Sequence, residues 1–596
     1  MLPRRPARGH SRSLALGPLA LLLAAAASVT ASVTASVAAS PQLSPHEADA
    51  LPIEMTEQEW ANRHLIGIGH RATSPATGPI RQCAEWEPVT GALVRYPFGL
   101  PYDLLAEISE DIGLWVYVSS QSQQNTASSA LQSNGATMAN VHFIQTGTNS
   151  IWTRDYGPQF IFDGGDDAGI VDHIYNRPRP LDDATNYEAG DAWTTPVYGS
   201  SVIHTGGNYM CDGHGNGYST DLVYDENPSL TPSGVDQEMF AYLGIGDYRV
   251  VDDISIGGIH HIDVWAKLLD EERILVKQVP MSNADYARCE ARAAAYAAMT
   301  NAYGEPLQVE RIFCASVGGG QVAGYTNAVI LNNKVLVPTF GIAQDAIALQ
   351  TYEDLMPGYE ILGYDGSWLP DDAIHCRVMG IHDKQMLYLD VNALPPVIQE
   401  NGPVRIDALV RDHSEAGLQV GWPRLFWRVE GELPYNEIAM LAAAGPDSFY
   451  ANIPAQPHGT TVEYYFQARD NTDREWQRPA GAPTASYATT IELDPVDVTS
   501  DGLERPALAI SSWPNPFTAV TTVAFRLPEA GSVRVAVYDI EGREICRLAD
   551  DTFAAGAHTL LWDGATGSGN RVANGVYLIR VETTGRVVST RVMRLD

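Results

Sequence analysis

Pro395 and Pro396 divide this chain into two parts with different hydrophobic periods, and that division decides what it can fold into. Ahead of them, strand-like and helix-like patterns alternate. Gly91 to Tyr96 and Leu114 to Val118 read as strands, and the alanine-rich stretch from Ala284 to Tyr303 reads as one helix. Beyond them, Val404 to Val410, Arg424 to Val429 and Thr461 to Arg469 have a period of two, with turn clusters between and no helical pattern. The first part is therefore an α/β region of catalytic size, and the second an immunoglobulin-like β-sandwich. A connection from Asp494 to Pro506 leads to a further β unit opened by Trp513 to Phe517, in which Ser532 to Tyr538 alternates and Asn574 to Tyr577 marks a turn. The expected domains are 51–392, 396–495 and 506–596, in keeping with 596 residues and roughly 150 residues per domain. No internal repeat is visible in the first region.

Residues 1–39 read differently. Arg4, Arg5, Arg8 and Arg12 precede an apolar Leu/Ala run from Leu14 to Ala27 and then small residues, the order of a secretory signal peptide. The run is too short to cross a bilayer comfortably, and an Ala-Ser-Val-Thr repeat follows as a low-complexity spacer, with Val37, Ala38 and Ala39 one reasonable cleavage point. The expectation is a secreted or cell-surface protein without a transmembrane segment. A net charge of -34 argues against nucleic acid as a partner, since that binding runs on phosphate neutralisation. The six cysteines are too widely spaced for a disulfide framework or a CxxC metal site. If one of them is a catalytic thiol, five remain, and at least one more stays out of a disulfide.

Chemistry concentrates in a few segments. Asp371 to Arg377 holds Cys376, a thiol in a turn-rich loop. Ile151 to Pro158 puts Asp155 at a turn ahead of the strand Gln159 to Phe162, where a carboxylate can grip a guanidinium through paired N–H donors or simply close the turn with Arg154. In the stretch Gly257 to Trp265, a strand conformation would send His261 and Asp263 to one face and His260 to the other, giving either a proton-transfer pair or a buried histidine satisfied by its neighbour. Asn327 opens a hairpin that turns at Asn332 and Asn333. In an acidic chain, Arg177 and Arg179, held extended by Pro178 and Pro180, form either an anion site or a solvated basic turn.

These motifs in this order (152 to 158, His261 to Asp263, Tyr325 to Asn327 with its hairpin, Ala373 to Cys376) resemble the guanidine-modifying deiminases. The likeness is greatest to the Porphyromonas-type peptidylarginine deiminase family, with agmatine deiminase as its near relative. The resemblance implies a pseudo-fivefold α/β propeller, the pentein fold, followed by the two β-sandwich domains. It implies Cys376 as nucleophile, His261 as general acid and base, Asp155 and Asp263 as the carboxylates that hold the guanidinium, and Asn327 as an active-site amide. Trp152, Arg177 and Arg179 fall at substrate-binding positions, the two arginines as a clamp for the C-terminal carboxylate of a peptide ending in arginine. The proton-transfer role on His261 leaves His375 without one. No cofactor is needed for catalysis. The last domain resembles the C-terminal sorting domains of type IX secretion and, more loosely, the FlgD immunoglobulin-like domain, which implies the export machinery as a partner; a plain adhesive sandwich is the alternative.

Other readings stay open. Agmatine deiminase uses the same catalytic group on a small amine, and an amidinotransferase would pass the amidino group to an amine. A metalloprotein could ligate through His260 or His261, Asp263, His375 and Cys376, and an inactive surface-binding module would work through its β domains. The acidic loop Asp163 to Asp167 offers oxygens to a structural calcium or sodium ion, without EF-hand spacing. Gly318 to Gly320 reads as a flexible loop.

Overall fold

A computed structural model of the protein describes residues 51–254, 258–369, 372–400, 402–492, 509–540 and 542–595. The expected signal and spacer at 1–39, the connection from Asp494 to Pro506, Gly257 and Asp371 lie outside the described residues.

The α/β region contains five separate sheets with one plan. In each, a first strand runs antiparallel to a central strand, a helix follows, and a further strand returns parallel to the central one. One unit pairs Gln159–Phe162 with Ala168–Tyr175, crosses through the helix Thr185–Trp193 and returns as Val197–His204. The next repeats this with Met210–Cys211, Asn216–Thr220, the helix Pro232–Leu243 and Asp247–Val251. A third uses Ala266–Leu268, Arg273–Gln278, Tyr286–Ala297 and Gln308–Phe313, and a fourth uses Val329–Leu331, Lys334–Thr339, Gln344–Leu355 and Glu360–Asp365. The remaining unit is built from both ends of the region. Its first strand, Met379–His382, lies antiparallel to Val89–Arg95, which the helix Tyr102–Asp111 connects to Gly113–Val118. This is an internal repeat, contrary to the sequence reading. It escaped notice because the repeated element is a strand order, carried by first strands of two to four residues that share no motif. Among the described residues no sheet closes on itself.

Two of the central strands carry unbroken apolar runs buried on both faces, Ile274 to Val276 and Val335 to Val337. The covering helices bury one stripe; Tyr286–Ala297 turns Cys289, Ala293 and Tyr296 inward at helical spacing. That helix stops six residues short of the expected Tyr303 because Asn301 intervenes. Its side-chain oxygen accepts the N–H groups of Tyr303 and Glu305, an Asx turn that competes with helix.

The sandwich begins at Leu387–Asp390, which pairs with Val404–Asp412 within the stretch that composition places in the catalytic region. Its two sheets enclose a core that includes Leu389, Ile406, Leu425, Tyr464 and Phe466. It sits directly on the α/β region. Arg474 pairs with Asp383 at 2.8 Å, the Arg81 guanidinium lies 4.1 Å from the Tyr388 ring, and His413 stacks on Phe162 at 3.7 Å. The last domain folds three and four strands around Phe517, Trp562 and Ile579. Gly318 to Gly320, expected to be a flexible loop, forms the turn of a short hairpin between Ser316–Gly318 and Gln321–Val322, each glycine at positive φ. All six cysteines are outside disulfides, and no described helix is long and apolar enough to cross a membrane.

Asn332 ties the two ends of the region together. It turns the hairpin at φ 54°, a left-handed conformation that asparagine tolerates. Its amide exchanges hydrogen bonds of 2.8 and 3.0 Å with the backbone of Val89. Asn332→Ala is expected to cost about 2 kcal/mol through the two backbone groups left unpaired, read as a lowered urea midpoint of the catalytic region; an unchanged midpoint would contradict this role.

Candidate active site

The five units contribute to one place, and each does so from the segment within five residues ahead of its first strand. Asp155 lies in the single helical turn Thr153–Tyr156, Gly207 in the 3-10 turn Gly206–Asn208, and Asp263 in the 3-10 turn Ile262–Val264 with His261 as its cap. Asn327 precedes Val329–Leu331, and Cys376 lies in the helical turn Ile374–Arg377. The structure thus brings together all five residues expected to be catalytic. Asp155, His261, Asp263, Asn327 and Cys376 are each no more than 2 % exposed.

The expected strand through His261 and Asp263 does not form. Gly258 and His260 both take positive φ, which turns the backbone into a 3-10 curl instead of an extended run. His260 still faces away, its Nδ1 2.9 Å from Asp253 Oδ2. Arg154 does not close a turn with Asp155. Its Nε reaches the His375 carbonyl at 3.4 Å, and its Nη2 lies 3.7 Å from Glu85.

Asn327 fixes the loop that carries Cys376. Its Oδ1 accepts the N–H groups of Ala373 and Cys376, its carbonyl accepts that of His375, and its Nδ2 lies 3.3 Å from Cys376 Sγ. Asp263 Oδ2 is 3.6 Å from the same sulfur. Asp155 Oδ1 accepts the Gly207 N–H at 3.2 Å and lies 3.6 Å from His261 Nδ1. Asp155 Oδ2, Asp263 Oδ1 and both ring nitrogens of His261 are buried without a hydrogen-bond partner. Buried polar atoms in native proteins are rarely left so. Two carboxylate oxygens awaiting donors beside a thiol and an imidazole form the complement of a planar cation with N–H groups on its edges.

Electrostatics separate the roles. Burial, reinforced by the neighbouring Asp263, pushes the Asp155 carboxyl up to about 7, with Arg177 and the Gly207 N–H drawing it partway back. Burial takes His261 down to about 3, so its imidazole is neutral. Burial and the carboxylates of Asp263, Asp372 and Asp155 raise the Cys376 thiol well above its usual range, against a smaller lowering by the Asn327 amide. An entering cation opposes these effects and favours the ionised forms of Asp155 and of the thiol.

Around these residues lies a set that sequence reasoning missed. His375 Nδ1 is 2.7 Å from Asp263 Oδ2, and its Nε2 is 2.8 Å from Glu85 Oε2. Glu85 Oε1 takes Lys267 Nζ at 2.7 Å and the Ile330 N–H at 2.9 Å. The available signal was Lys267, an ammonium in an otherwise apolar strand that is buried and so requires an anion. Glu85 itself offered none. Among the described residues no three His, Cys, Asp or Glu side chains are arranged to hold a metal ion. The Asp163 carboxylate is spent on its own turn, accepting the N–H groups of Gly165 and Asp167.

The expected substrate-binding residues divide. Trp152 is buried, its ring 5.5 Å from the Arg377 guanidinium. Arg177 donates through Nε to the Ile53 carbonyl at 3.2 Å and through Nη1 to that of Asn176, and its charge reaches Asp155 and His261. Arg179 already holds a carboxylate: Glu59 Oε1 is 2.6 Å from its Nε, and the Pro52 carbonyl 2.8 Å from its Nη2.

Gly207 is the one bare position among the five contributions. A Cβ there would lie 2.6 Å from Asp155 Oδ1 and 2.8 Å from His261 Nδ1. Gly207→Ala is expected to lower kcat/KM by roughly 10²-fold or more by displacing both side chains, while circular dichroism and the unfolding midpoint change little; wild-type activity in a folded variant would show that those side chains have no fixed role.

A sequence profile of the Porphyromonas-type peptidyl-arginine deiminases matches residues 81–381, and one of the FlgD immunoglobulin-like domain matches 513–586. An agmatine deiminase from Medicago truncatula is 25% identical over 293 residues, covering 40% of this chain and 77% of that protein. The solved agmatine deiminase of Enterococcus faecalis is 19% identical with a TM-score of 0.47, covering 52% of this chain and 100% of its own. The agmatine deiminase of C. jejuni is 18% identical with a TM-score of 0.43, covering 51% and 96%. With the profile match spanning half of its length, this chain belongs to the Porphyromonas-type peptidyl-arginine deiminase family.

Proposed function

We propose that the protein is an exported arginine deiminase that hydrolyses the guanidinium of peptidyl arginine, at the C-terminus of a peptide, to citrulline and ammonia. The observation that carries this reading is the pair of unpartnered carboxylate oxygens, Asp155 Oδ2 and Asp263 Oδ1, buried beside Cys376 and His261. The two carboxylates hold the guanidinium by its edges and leave its central carbon to Cys376. The bound cation favours the thiolate, with neutral His261 taking the proton. The sulfur adds to the carbon, His261 returns the proton to the departing ammonia, and a thiouronium remains on Cys376. His261 then accepts a proton from water as it attacks, the carbon–sulfur bond breaks, and the ureido product leaves. In this reading the five units stand as blades of a pseudo-fivefold propeller around the substrate. The domain at 506–596 serves export, following the signal at 1–39.

Peptide preference rests on Arg177, the arginine whose charge reaches Asp155 and His261. Arg179 supports it by anchoring the Pro52 to Glu59 segment across the same stretch. Agmatine is the second reading, favoured by the names of the relatives and by the occupied state of Arg179. Arg177→Ala is expected to weaken peptides ending in arginine at least tenfold more than agmatine, which lacks the carboxylate; equal losses would remove the assignment. Citrulline release from such a peptide, from internal arginine and from agmatine, with Cys376→Ala as control, decides the substrate.

The reading also fixes a pH dependence. Since the Asp155 carboxyl lies near 7 in the free protein and must be ionised to hold the cation, kcat/KM rises with pH through that region. Binding of the cation draws the carboxyl down, so the rising limb of kcat lies at lower pH. Coincident limbs for the two parameters would exclude Asp155 as the titrating group.

A further inference from the structure

Two carboxylates in one dry pocket require a counter-charge before any substrate arrives; the structure hydrogen-bonds one to Asp263, while Asp155 feels the charge of Arg177, whose guanidinium donates to backbone carbonyls. His375 has a carboxylate oxygen on each ring nitrogen, Asp263 Oδ2 at 2.7 Å and Glu85 Oε2 at 2.8 Å. A neutral imidazole carries one N–H and one lone pair, so this arrangement is satisfied only when both nitrogens are protonated or a carboxyl is. Glu85 is not the protonated member. Its other oxygen takes Lys267 Nζ at 2.7 Å and the Ile330 N–H at 2.9 Å, and Arg154 Nη2 lies 3.7 Å from Oε2, contacts that suit a carboxylate. Since imidazole is ordinarily a stronger base than a carboxylate, the proton on the 2.7 Å contact with Asp263 belongs to the ring. The other charged groups around the pair are Arg154 and Asp155 from the turn at 153–156, His261 beside Asp263, Lys267 from the following strand, and Asp372, Cys376 and Arg377 flanking His375. None of the cations among them hydrogen-bonds to Asp263; Lys267 and Arg154 face Glu85, and Arg377 faces Asp372.

We infer that His375 is a positioning residue held as a permanent imidazolium: clamped by Glu85, it keeps Asp263 as the standing, ionised half of the guanidinium clamp and leaves Asp155 as the half that ionises when substrate enters. The inference rests on the deiminase reading of the site. It separates the two carboxylates by function: Asp263 is neutralised in advance and aimed, and Asp155, near Arg177 but not paired with it, supplies the charge that the substrate cation meets. Without His375 the two acids compete for one proton, and the pair ionises only at higher pH.

Two measurements on the full chain test this. Side-chain ¹⁵N spectra of histidine-labelled protein, with the His375 signal assigned by its loss in H375N, are expected to show both His375 nitrogens protonated and unchanging from pH 6 to 9. In Glu85→Gln the same signal should titrate inside that window. A wild-type signal that titrates in the ordinary histidine range overturns the inference, whatever the enzyme's substrate. The second measurement is kcat/KM against pH on a peptide ending in arginine. H375N is expected to shift the rising limb upward by one unit or more, a loss of about fivefold or more at pH 7, with a smaller change in kcat at high pH. A uniform loss with an unmoved limb would mark His375 as merely structural and overturn the proposal. Absence of citrulline with the wild-type protein would sink the deiminase reading while the spectra still decide the charge of His375. Should H375N fail to fold, the Glu85→Gln spectrum and the remaining wild-type titration decide it.

Discussion

The Glu85 carboxylate is the knot on which the catalytic region depends. Its two oxygens receive His375 from the unit that joins the ends of the region, Lys267 from the third unit and the backbone of Ile330 from the fourth, with Arg154 of the first nearby. A single anion therefore connects four of the five sheets at the level where their leading turns converge. A salt bridge of this kind contributes modestly to net stability, because removing charges from water costs about as much as their attraction returns. Its effect is on specificity of arrangement: the turns that carry Asp155, Asp263, Asn327 and Cys376 are aligned against one fixed charge. The site's alignment thus rests on a charge one contact removed from Asp263.

Much of the site was legible in the sequence, and for an identifiable reason. Cys376, His261, Asp155, Asp263 and Asn327 each sit in a short motif with local turn chemistry, and the structure gathers them. The local conformation around His261 was misread as a strand because the residue types permit extension; the turn is set by positive φ at Gly258 and His260, which the alternation of apolar residues does not encode. The fivefold recurrence, which the family resemblance implied, is not visible as a sequence repeat for a different reason. What repeats is hydrogen-bond topology around very short strands, and topology of that kind leaves no mark at the level of residue identity. Glu85 and His375 were invisible or dismissed because their meaning lies entirely in tertiary pairing across some 290 residues.

The β domains were easier to anticipate. Period-two alternation in Val404–Asp412 and Thr460–Arg469 is the direct consequence of one face packing inward, and the structure shows it in alternating burial along both strands. Their seat on the catalytic region was not readable, since contacts such as His413 on Phe162 join positions that carry no complementary signal in sequence.

The strand pairing of Met379–His382 with Val89–Arg95 has a consequence for the order in which the protein becomes chemically competent. The strand that follows Cys376 is the last of the catalytic region to emerge during synthesis, yet its partner is the second strand of that region. Contacts this distant in sequence form late and slowly, because loop-closure entropy must be overcome first. Cys376 is thus brought to Asp155, His261 and Asp263 by a late step of folding. The site around Asp155, His261 and Asp263 is complete only when the two ends of the region have met.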